Sequence, residues 1–492
     1  MEGRTARLHP VKMLLDFVSL IKTNFIIIFF LYVIHFGTDS KLWLASQYLF
    51  AVFILFAIVY NFFNWCFYRY TVKDEAIHIS SGVIKKSERV ISLSKIQNIQ
   101  KRTTVIHKLF NISSITMETG ESGDNGSIAL AAVSKKEADW LETIASSVYD
   151  EEISEASEEE KDPDYIVETQ NEREIHFIAS KKDVLKASFT SLSFFALIPV
   201  VFTIYSNIED LLPVTSIMGD WLKAIMRYWW MIAITLVIFT FIAIAFGVIT
   251  TYWRYGKYQI LSDSKRIYIR KGLVDEVAFS ILKEKVQAIE VIQSPLKRIL
   301  RLAEVKLVSA GETGEEDLKT NSLYPFLPVN RAYEIVHELL PEYKILPNMT
   351  SLPKTALVAK MLRPSILWLA ALIGLLIFKQ NLWYVSFAVL LIVYILRLLD
   401  FVNSSYIVKD EYMQLKTGSL QTSLFLTKRS KVIEVEVAQS RWQRRFGLAE
   451  MGIVNRSKPI VHTSIKDVPY EAAVDFYYWY KMRGKDIRID KR

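Results

Sequence analysis

The sequence is poor in the residues that catalytic and metal sites need. Its single cysteine, Cys66, cannot close an intrachain disulfide. The seven histidines are scattered, and no His-x-x-x-His or Cys-x-x-Cys pair suggests a metal site. No P-loop, G-x-G-x-x-G or G-x-S-x-G motif is present, and the Ser-x-x-Lys pattern at Ser92 and Lys95 is of a kind common by chance. We therefore predict a non-enzymatic protein without a cofactor or a metal.

Long apolar runs alternate with charged segments along the 492 residues. Hydrophobic residues make up 51% of the chain, yet 23% of it is charged, which fits membrane spans between water-soluble domains. Six runs approach the roughly 20 residues of a membrane-spanning helix, and they come in pairs. They are Thr23–Gly37 and Leu42–Trp65, Lys186–Tyr205 and Tyr228–Trp253, and Pro364–Phe378 and Leu382–Leu399. The fifth run is the shortest and could extend N-terminally, with Lys360 and Arg363 at the membrane interface.

The basic residues predict the orientation of these spans. Positive charges are few in the connections within hairpins but common at their outer ends, as at Lys22, Arg69 and Arg254. By the positive-inside rule, both termini and the large segments between hairpins face the cytoplasm. Because no cleavage site follows the basic N-terminus, we predict an uncleaved anchor rather than a signal peptide. The runs lack charged residues at mid-depth, which disfavours a pump or an ion channel.

One sequence pattern follows each hairpin, and Gly82, Gly272 and Gly418 fix its register. Apolar residues stand five positions before and 14 positions after each glycine: Ile77, Ile267 and Met413, then Ile96, Val286 and Val432. Such alternation up to a glycine predicts a strand that runs into a tight turn. Each copy ends in a predicted helix, at Lys135–Val148, Asn330–Leu340 and Pro469–Lys481. We predict an antiparallel sheet or partial barrel with this helix packed over its open end.

The segments IQNIQ (96–100), VQAIEVIQSPL (286–296) and LKRILRLAEVKL (296–307) resemble the bacterial pleckstrin-homology-like (membrane-flanked) domain family. Copy three departs from the pattern at Ile433, where the first two copies carry Gln97 and Gln287. The resemblance implies an α+β integral membrane protein with six transmembrane helices in three hairpins, each followed by a cytoplasmic PH-like β-barrel or sheet with a C-terminal helix. It further implies a multi-pass protein of the bacterial cell membrane, with a small one-hairpin PH-like paralogue as partner. The family has no catalytic residues to carry over.

These features divide the chain into seven segments. They are the N-terminal segment and first hairpin (1–66), the first PH-like domain (67–149), an acidic linker (150–178), the second hairpin (179–252), the second PH-like domain (253–345), the third hairpin (346–400) and the third PH-like domain (401–492). Between Asp150 and Glu174 the linker has 12 acidic and two basic residues, so it cannot bury a core and should be mobile. It could compete with lipid for the basic faces of the repeats.

Two columns of the repeat are basic in all three copies. Lys95, Lys285 and Lys431 stand 13 positions after the glycine, and Lys108, Arg298 and Arg444 stand 26 positions after it. The second column is flanked by further cations: Lys297, Arg301, Arg441 and Arg445. Each charge near an anionic leaflet gains about 1 kcal/mol, so we predict contact with anionic lipid headgroups or an acidic partner segment. The alternative is a set of solvated loops and internal salt bridges. We expect the glutamines Gln97, Gln100, Gln287 and Gln293 to satisfy backbone or interdomain hydrogen bonds.

Two functions fit these features. The first is a non-catalytic interaction platform in the cell envelope, oligomeric or bound to the paralogue, that supports the envelope against stress or membrane-active agents. The second is a lipid or peptide carrier or exporter component gated by its PH-like domains, since lipids need no charged path. Binding to nucleic acid is not expected, because the membrane explains the positions of the basic and aromatic residues.

Overall fold

The computed structural model describes residues 4–34, 40–119, 126–155, 173–190, 229–309, 322–457 and 460–485. The chain divides into two compact units by its internal contacts. One comprises Met1–Glu172 with Val274–Ser280, and the other comprises Arg173–Leu273 with Ile281–Arg492.

All three copies of the repeat fold into the same order of elements: three strands, a 3₁₀ turn, a long strand, a one-turn helix, two strands and a closing helix. In copy one they are Arg69–Lys73, Ala76–Ser81, Ser87–Ser92, Leu93–Lys95, Ile96–Thr103, Val105–Leu109, Ile112–Thr119, Ser127–Ser134 and Lys135–Glu155. In copy two they are Gln259–Ser262, Arg266–Lys271, Glu276–Leu282, Lys283–Lys285, Val286–Gln293, Pro295–Ile299, Leu302–Ser309, Ser322–Pro328 and Val329–Leu339. In copy three they are Ser405–Lys409, Tyr412–Thr417, Thr422–Lys428, Arg429–Lys431, Val432–Ala438, Arg441–Arg445, Leu448–Asn455, Val461–Pro469 and Tyr470–Lys481.

A short strand upstream of each hairpin pairs antiparallel with the first strand of the copy downstream of it. These upstream strands are Arg4–Ala6, Glu174–Ile178 and Thr350–Ser351. Each predicted hairpin therefore lies, along the chain, between two neighbouring strands of one sheet. The strand Glu174–Ile178 lies in the segment predicted as a linker. Residues 156–172 of that segment lie outside the described part of the chain.

The sheets are not closed barrels, which corrects the barrel form of the prediction. The 3₁₀ turn separates the strands of each copy into an N-terminal sheet before it and a C-terminal sheet after it. In the second unit the long strand Val286–Gln293 of copy two pairs antiparallel with Thr422–Lys428 of copy three, with Ala288 opposite Thr427. The segment Val274–Ser280 of copy two belongs to the first unit. It contains most of the strand Glu276–Leu282, which lies next to the strand Ile96–Thr103 of copy one in the same sheet. Strands of successive copies thus meet where a barrel would have to close on itself.

The apolar positions shared by the copies form the cores between sheet and closing helix. Ile77, Ile96 and Ile99 of copy one are buried with Ala138 and Leu141 of its closing helix. The equivalent core of copy three contains Met413, Leu415 and Val432, packed with Phe476 and Trp479 of its helix. Ile267 and Val286 are fully buried at the same positions of copy two. The repeat pattern therefore identifies the core of each copy correctly.

Three helices of the described chain are long and apolar enough to cross a membrane. They are Lys41–Phe67, Lys354–Phe378 and Val385–Asn403, and the second includes the predicted N-terminal extension of the fifth run. Its helix is interrupted between Leu362 and Ile366. The pair Val11–Thr23 and Phe25–Ile34, bent by 63°, would make a fourth span if it acts as one. A helix also covers Trp229–Tyr255, whereas most of the predicted span Lys186–Tyr205 lies outside the described residues.

Candidate membrane-facing site

Each copy carries its one-turn helix at the same place, and local sequence explains why. The residue before the helix is Thr104, Ser294 or Ser440, and these residue types favour the N-cap because their oxygens accept from free helix amides. Ser440 and Gln443 form a capping box. Each cap thus begins a helix directly after a long strand.

The end of the one-turn helix is equally well defined. Asn111, Arg301 and Gly447 follow it in the left-handed region, with φ values of 52°, 53° and 66°, and such a residue ends a helix. The carbonyl of each of these residues accepts a hydrogen bond from the first amide of the closing helix, at 3.2, 3.1 and 2.9 Å respectively. The one-turn helix is therefore held to the closing helix in all three copies.

A buried polar side chain anchors each one-turn helix to the sheet, 25 positions after the repeat glycine. His107 lies 3.1 Å from the carbonyl oxygen of Ala131, through its Nε2. In copy two, Lys297 Nζ donates to Glu304 at 2.7 Å and lies over the ring of Phe326. In copy three the anchor is Gln443, whose Nε2 donates to Asp467 at 3.0 Å. All three anchors are at most 8% exposed, so the ammonium of Lys297, predicted to contact lipid, lies in an internal ion pair.

The outer face of the one-turn helices combines exposed apolar and cationic side chains. Leu109 is 79% exposed and Ile299 77%, and Trp442 of copy three is 48% exposed. The predicted cations on these helices are also exposed: Lys108, Arg298, Arg301, Arg441, Arg444 and Arg445. Apolar side chains held in water beside cations are typical of a surface that inserts into the interface of an anionic membrane. We call each one-turn helix, together with the chain up to the left-handed residue that ends it, a tip.

In each copy the tip contacts the polar end of an apolar helix region. Ile106 of the first tip packs beside Val11, the first residue of the helix Val11–Thr23. Arg298 of the second tip donates to the side chain of Asn403, the last residue of the span Val385–Asn403, at 3.1 Å. The tips therefore lie at the level where apolar helices end.

Copy three reaches the same arrangement through a buried carboxylate. Asp467 is fully buried and accepts from Gln443 Nε2 of the tip at 3.0 Å. Its second donor is Arg363, at 3.1 Å, which stands at the interruption of the span Lys354–Phe378. This ion pair joins the third tip to the polar end of a candidate span.

The cations of the first basic column lie in the 3₁₀ turns instead. Lys431 Nζ donates to the backbone carbonyl of Glu284 in copy two at 2.7 Å, and burial lowers the pKa of this lysine. Lys285 pairs with the carboxylate of Glu284 at 3.0 Å. Lys95 is exposed in its turn. Lys285 and Lys431 thus lie at a junction between copies.

Among the other predicted cations, Lys108 pairs with Glu276 at 2.9 Å, and Arg444 donates to Gln439 at 3.4 Å. Two of the predicted glutamines hydrogen-bond to backbone as expected: Gln287 to the carbonyl of Lys285 and Gln293 to that of Leu302.

Sequence reasoning missed the anchors His107 and Gln443. Their signal was a polar residue three positions after a serine or threonine, at one fixed repeat position. Among the described residues, no group of three or more His, Cys, Asp or Glu side chains could hold a metal ion.

Comparison with known proteins agrees with this architecture. The model of the bacterial PH domain matches residues 25–148, 210–343 and 364–483. The chain belongs to the bacterial PH domain family, with three copies of the domain.

A relative in Bacillus subtilis (strain 168), the UPF0699 transmembrane protein YdbT, is 25% identical to the chain over 512 aligned positions. The alignment covers 99% of this chain and all of the relative. No solved structure matches the chain.

Proposed function

We propose that this chain is a non-catalytic, multi-pass membrane protein whose three PH-like domains form an interaction platform on the cytoplasmic face of the cell membrane. The observation that carries the proposal is the threefold occurrence of an exposed apolar and cationic tip where apolar helices end. The relative's description as a transmembrane protein supports the membrane location.

The course of the chain supports six spans in three hairpins. Each hairpin region begins and ends at neighbouring strands of one sheet, and a water-soluble sheet lies on one side of the membrane. An even number of crossings between those strands follows. Copies two and three also share a sheet through Val286–Gln293 and Thr422–Lys428, which supports domains on the same side of the membrane. The positive-inside rule favours the cytoplasmic side.

The tips would then fix each domain against the inner leaflet. The cytoplasmic leaflet is anionic, and each nearby cation gains about 1 kcal/mol there. Insertion of the exposed side chains of Leu109 and Ile299 would stabilise membrane binding by about 25 cal/mol for each Å² of apolar surface removed from water. A platform held in this way keeps the remaining faces of the domains oriented toward the cytoplasm and its proteins.

The position of a fluorescent label on the full-length protein tests the proposal. In a Cys66→Ser background, Ile299→Cys carries an environment-sensitive dye, and the protein is reconstituted in nanodiscs with one-third anionic lipid. We expect a blue-shifted emission that lipid-borne nitroxides near the headgroups quench strongly, because the tip inserts into the interface.

Ser264→Cys is the matched control in the same copy. Ser264 is exposed in the turn before Arg266–Lys271, whereas the turn glycine after this strand, Gly272, hydrogen-bonds to Gly256 beyond the helix Trp229–Tyr255. The six-residue strand places Ser264 roughly 20 Å from its other end, which lies beside the end of the apolar helix Trp229–Tyr255. A label at Ile299 that is quenched no more than the label at Ser264 would refute the proposal.

A further inference from the structure

Two edge strands of the described sheets occupy repeat positions at which other copies pair with each other. The N-terminal sheet of copy one ends with Ser87–Ser92, and the C-terminal sheet of copy three begins with Val432–Ala438. The strands at the same two positions of copies three and two are paired with each other. We call Ser87–Ser92 the head strand and Val432–Ala438 the tail strand.

Apolar positions that are buried on the paired strands of copies two and three are exposed on the head and tail strands. On the tail strand Val437 is 36% exposed, whereas its equivalent Val291 in the paired strand of copy two is 5% exposed. On the head strand Val90 is 61% exposed, whereas its equivalent Leu426 in copy three is 1% exposed. An apolar open strand edge is a template for pairing with another strand.

The tail strand also explains the departure of copy three from the repeat pattern. Ile433 is 46% exposed where Gln287 of copy two is 8% exposed. The hydroxyl of Tyr480 donates to the carbonyl of Ile433, so pairing would begin at Glu434. In copy two the equivalent pairing begins at Ala288, which is the same position of the repeat.

The polar contacts of the existing junction have counterparts on the open strands. Between copies two and three, Ser423 Oγ donates to Glu290 Oε1 at 2.6 Å. The equivalent residues are Ser87 on the head strand and Glu436 on the tail strand. The residue types of both hydrogen-bond partners are thus present on the head and tail strands. These two strands do not pair with each other in the described part of the chain.

Charges on the two strands are also complementary. The register of copies two and three, transferred to the open strands, places Arg89 opposite Glu436 and Glu88 opposite Val437. Exposed Lys85 and Lys86 flank the head strand, whereas the tail strand exposes Glu434 and Glu436. Opposite charges across a strand pair stabilise it and fix its register.

We propose that the head strand of one molecule pairs antiparallel with the tail strand of a second copy of this chain. The pairing repeats between molecules the junction that joins copies two and three within one molecule. Because the head and tail are different surfaces, the contact is heterologous and leaves one head and one tail open in a dimer. It would assemble the membrane-bound platforms into rings or rows.

Disulfide trapping in native membranes tests this pairing. Two differently tagged full-length proteins are co-expressed in a Cys66→Ser background, one with Glu88→Cys and the other with Val437→Cys. Residues directly opposite on antiparallel strands have Cβ atoms about 5 Å apart, close to the reach of a disulfide. We expect mild oxidation to give a product that carries both tags.

Thr143→Cys replaces Glu88→Cys in the matched control, because Thr143 is exposed on the closing helix of the same copy but lies off both the head strand and the tip. We expect at least about tenfold less product than from the test pair, equivalent to about 1.4 kcal/mol. Equal yields from the two pairs would overturn the proposal. So would capture of a separate one-hairpin protein on the tail strand in place of the second copy.

A charge exchange provides an independent readout. Glu436→Arg in both tagged proteins should lower their co-purification at least about fivefold, because Arg89 then faces a like charge at every junction. Adding Arg89→Glu to both proteins should restore co-purification. A loss that this second change does not reverse would contradict the transferred register.

Discussion

Replacing Gly418 with alanine should lower the midpoint of thermal unfolding of the purified full-length protein far more than the same change at Gly447. Gly418 has a φ of 122°, and a Cβ there would lie 2.0 Å from the carbonyl oxygen of Gln421. That oxygen belongs to the tight turn between two strands, so it cannot move away unless the turn opens. We expect a loss of about 3 kcal/mol, measured by intrinsic fluorescence in detergent.

Gly447→Ala is the matched control for this prediction. Gly447 also has a positive φ, 66°, but an added Cβ would meet nothing within 4 Å. Asn111 and Arg301 adopt the same conformation at its position in the other copies, so a side chain is tolerated there at about 1 kcal/mol. Equal shifts of the two midpoints would show that the close contact at Gly418 is relieved without opening the turn.

The parts of the fold that depend on local sequence could be predicted. The repeat glycines require φ values that other residues rarely adopt, and Gly82, Gly272 and Gly418 all have positive φ. The apolar positions at fixed distances from them are buried, as for Ile96 and Val432. Period and backbone geometry are local properties, so they can be read from a single chain.

The pairing of strands between copies could not be predicted in this way. Val286–Gln293 could pair with a strand of its own copy, as in a closed barrel, or with Thr422–Lys428, more than 130 residues later. Both choices bury the same alternating apolar residues, and the hydrophobic pattern cannot decide between them. Ile433 was the sequence difference that pointed to this pairing, because the tail strand, which is paired on one side only in the described part of the chain, differs in composition from its equivalents that are paired on both sides.

The candidate site was predicted in part. The basic column that contains Arg298 and Arg444 lies on the tips, as a surface function requires. The apolar half of the tips was missed, because Leu109 and Ile299 look like core residues when a helix is only one turn long. Their exposure follows from the buried anchors His107 and Lys297, which lie two residues earlier on the opposite face of the turn.

The ion pair beneath the second tip has a large expected effect when one partner is removed. Lys297 Nζ lies 2.7 Å from Glu304 Oε2, and the two side chains are 10% and 19% exposed. Glu304→Ala leaves the Lys297 ammonium buried without a carboxylate, which typically costs about 3 kcal/mol or more. We expect a clearly lower midpoint of thermal unfolding, and weaker quenching of a label at Ile299, since this tip loses its anchor.

Two further variants separate this effect from a simple loss of charge. Lys306 Nζ lies 3.9 Å from the other oxygen of Glu304 and is 33% exposed, so Lys306→Ala should cost less than about 1 kcal/mol. The double variant Lys297→Met with Glu304→Leu should regain most of the stability, because apolar side chains of similar volume often replace a buried ion pair without loss. Copies one and three already anchor their tips through the imidazole of His107 and the amide of Gln443. If Glu304→Ala shifted the midpoint no more than Lys306→Ala, the ion pair would not be what holds the tip.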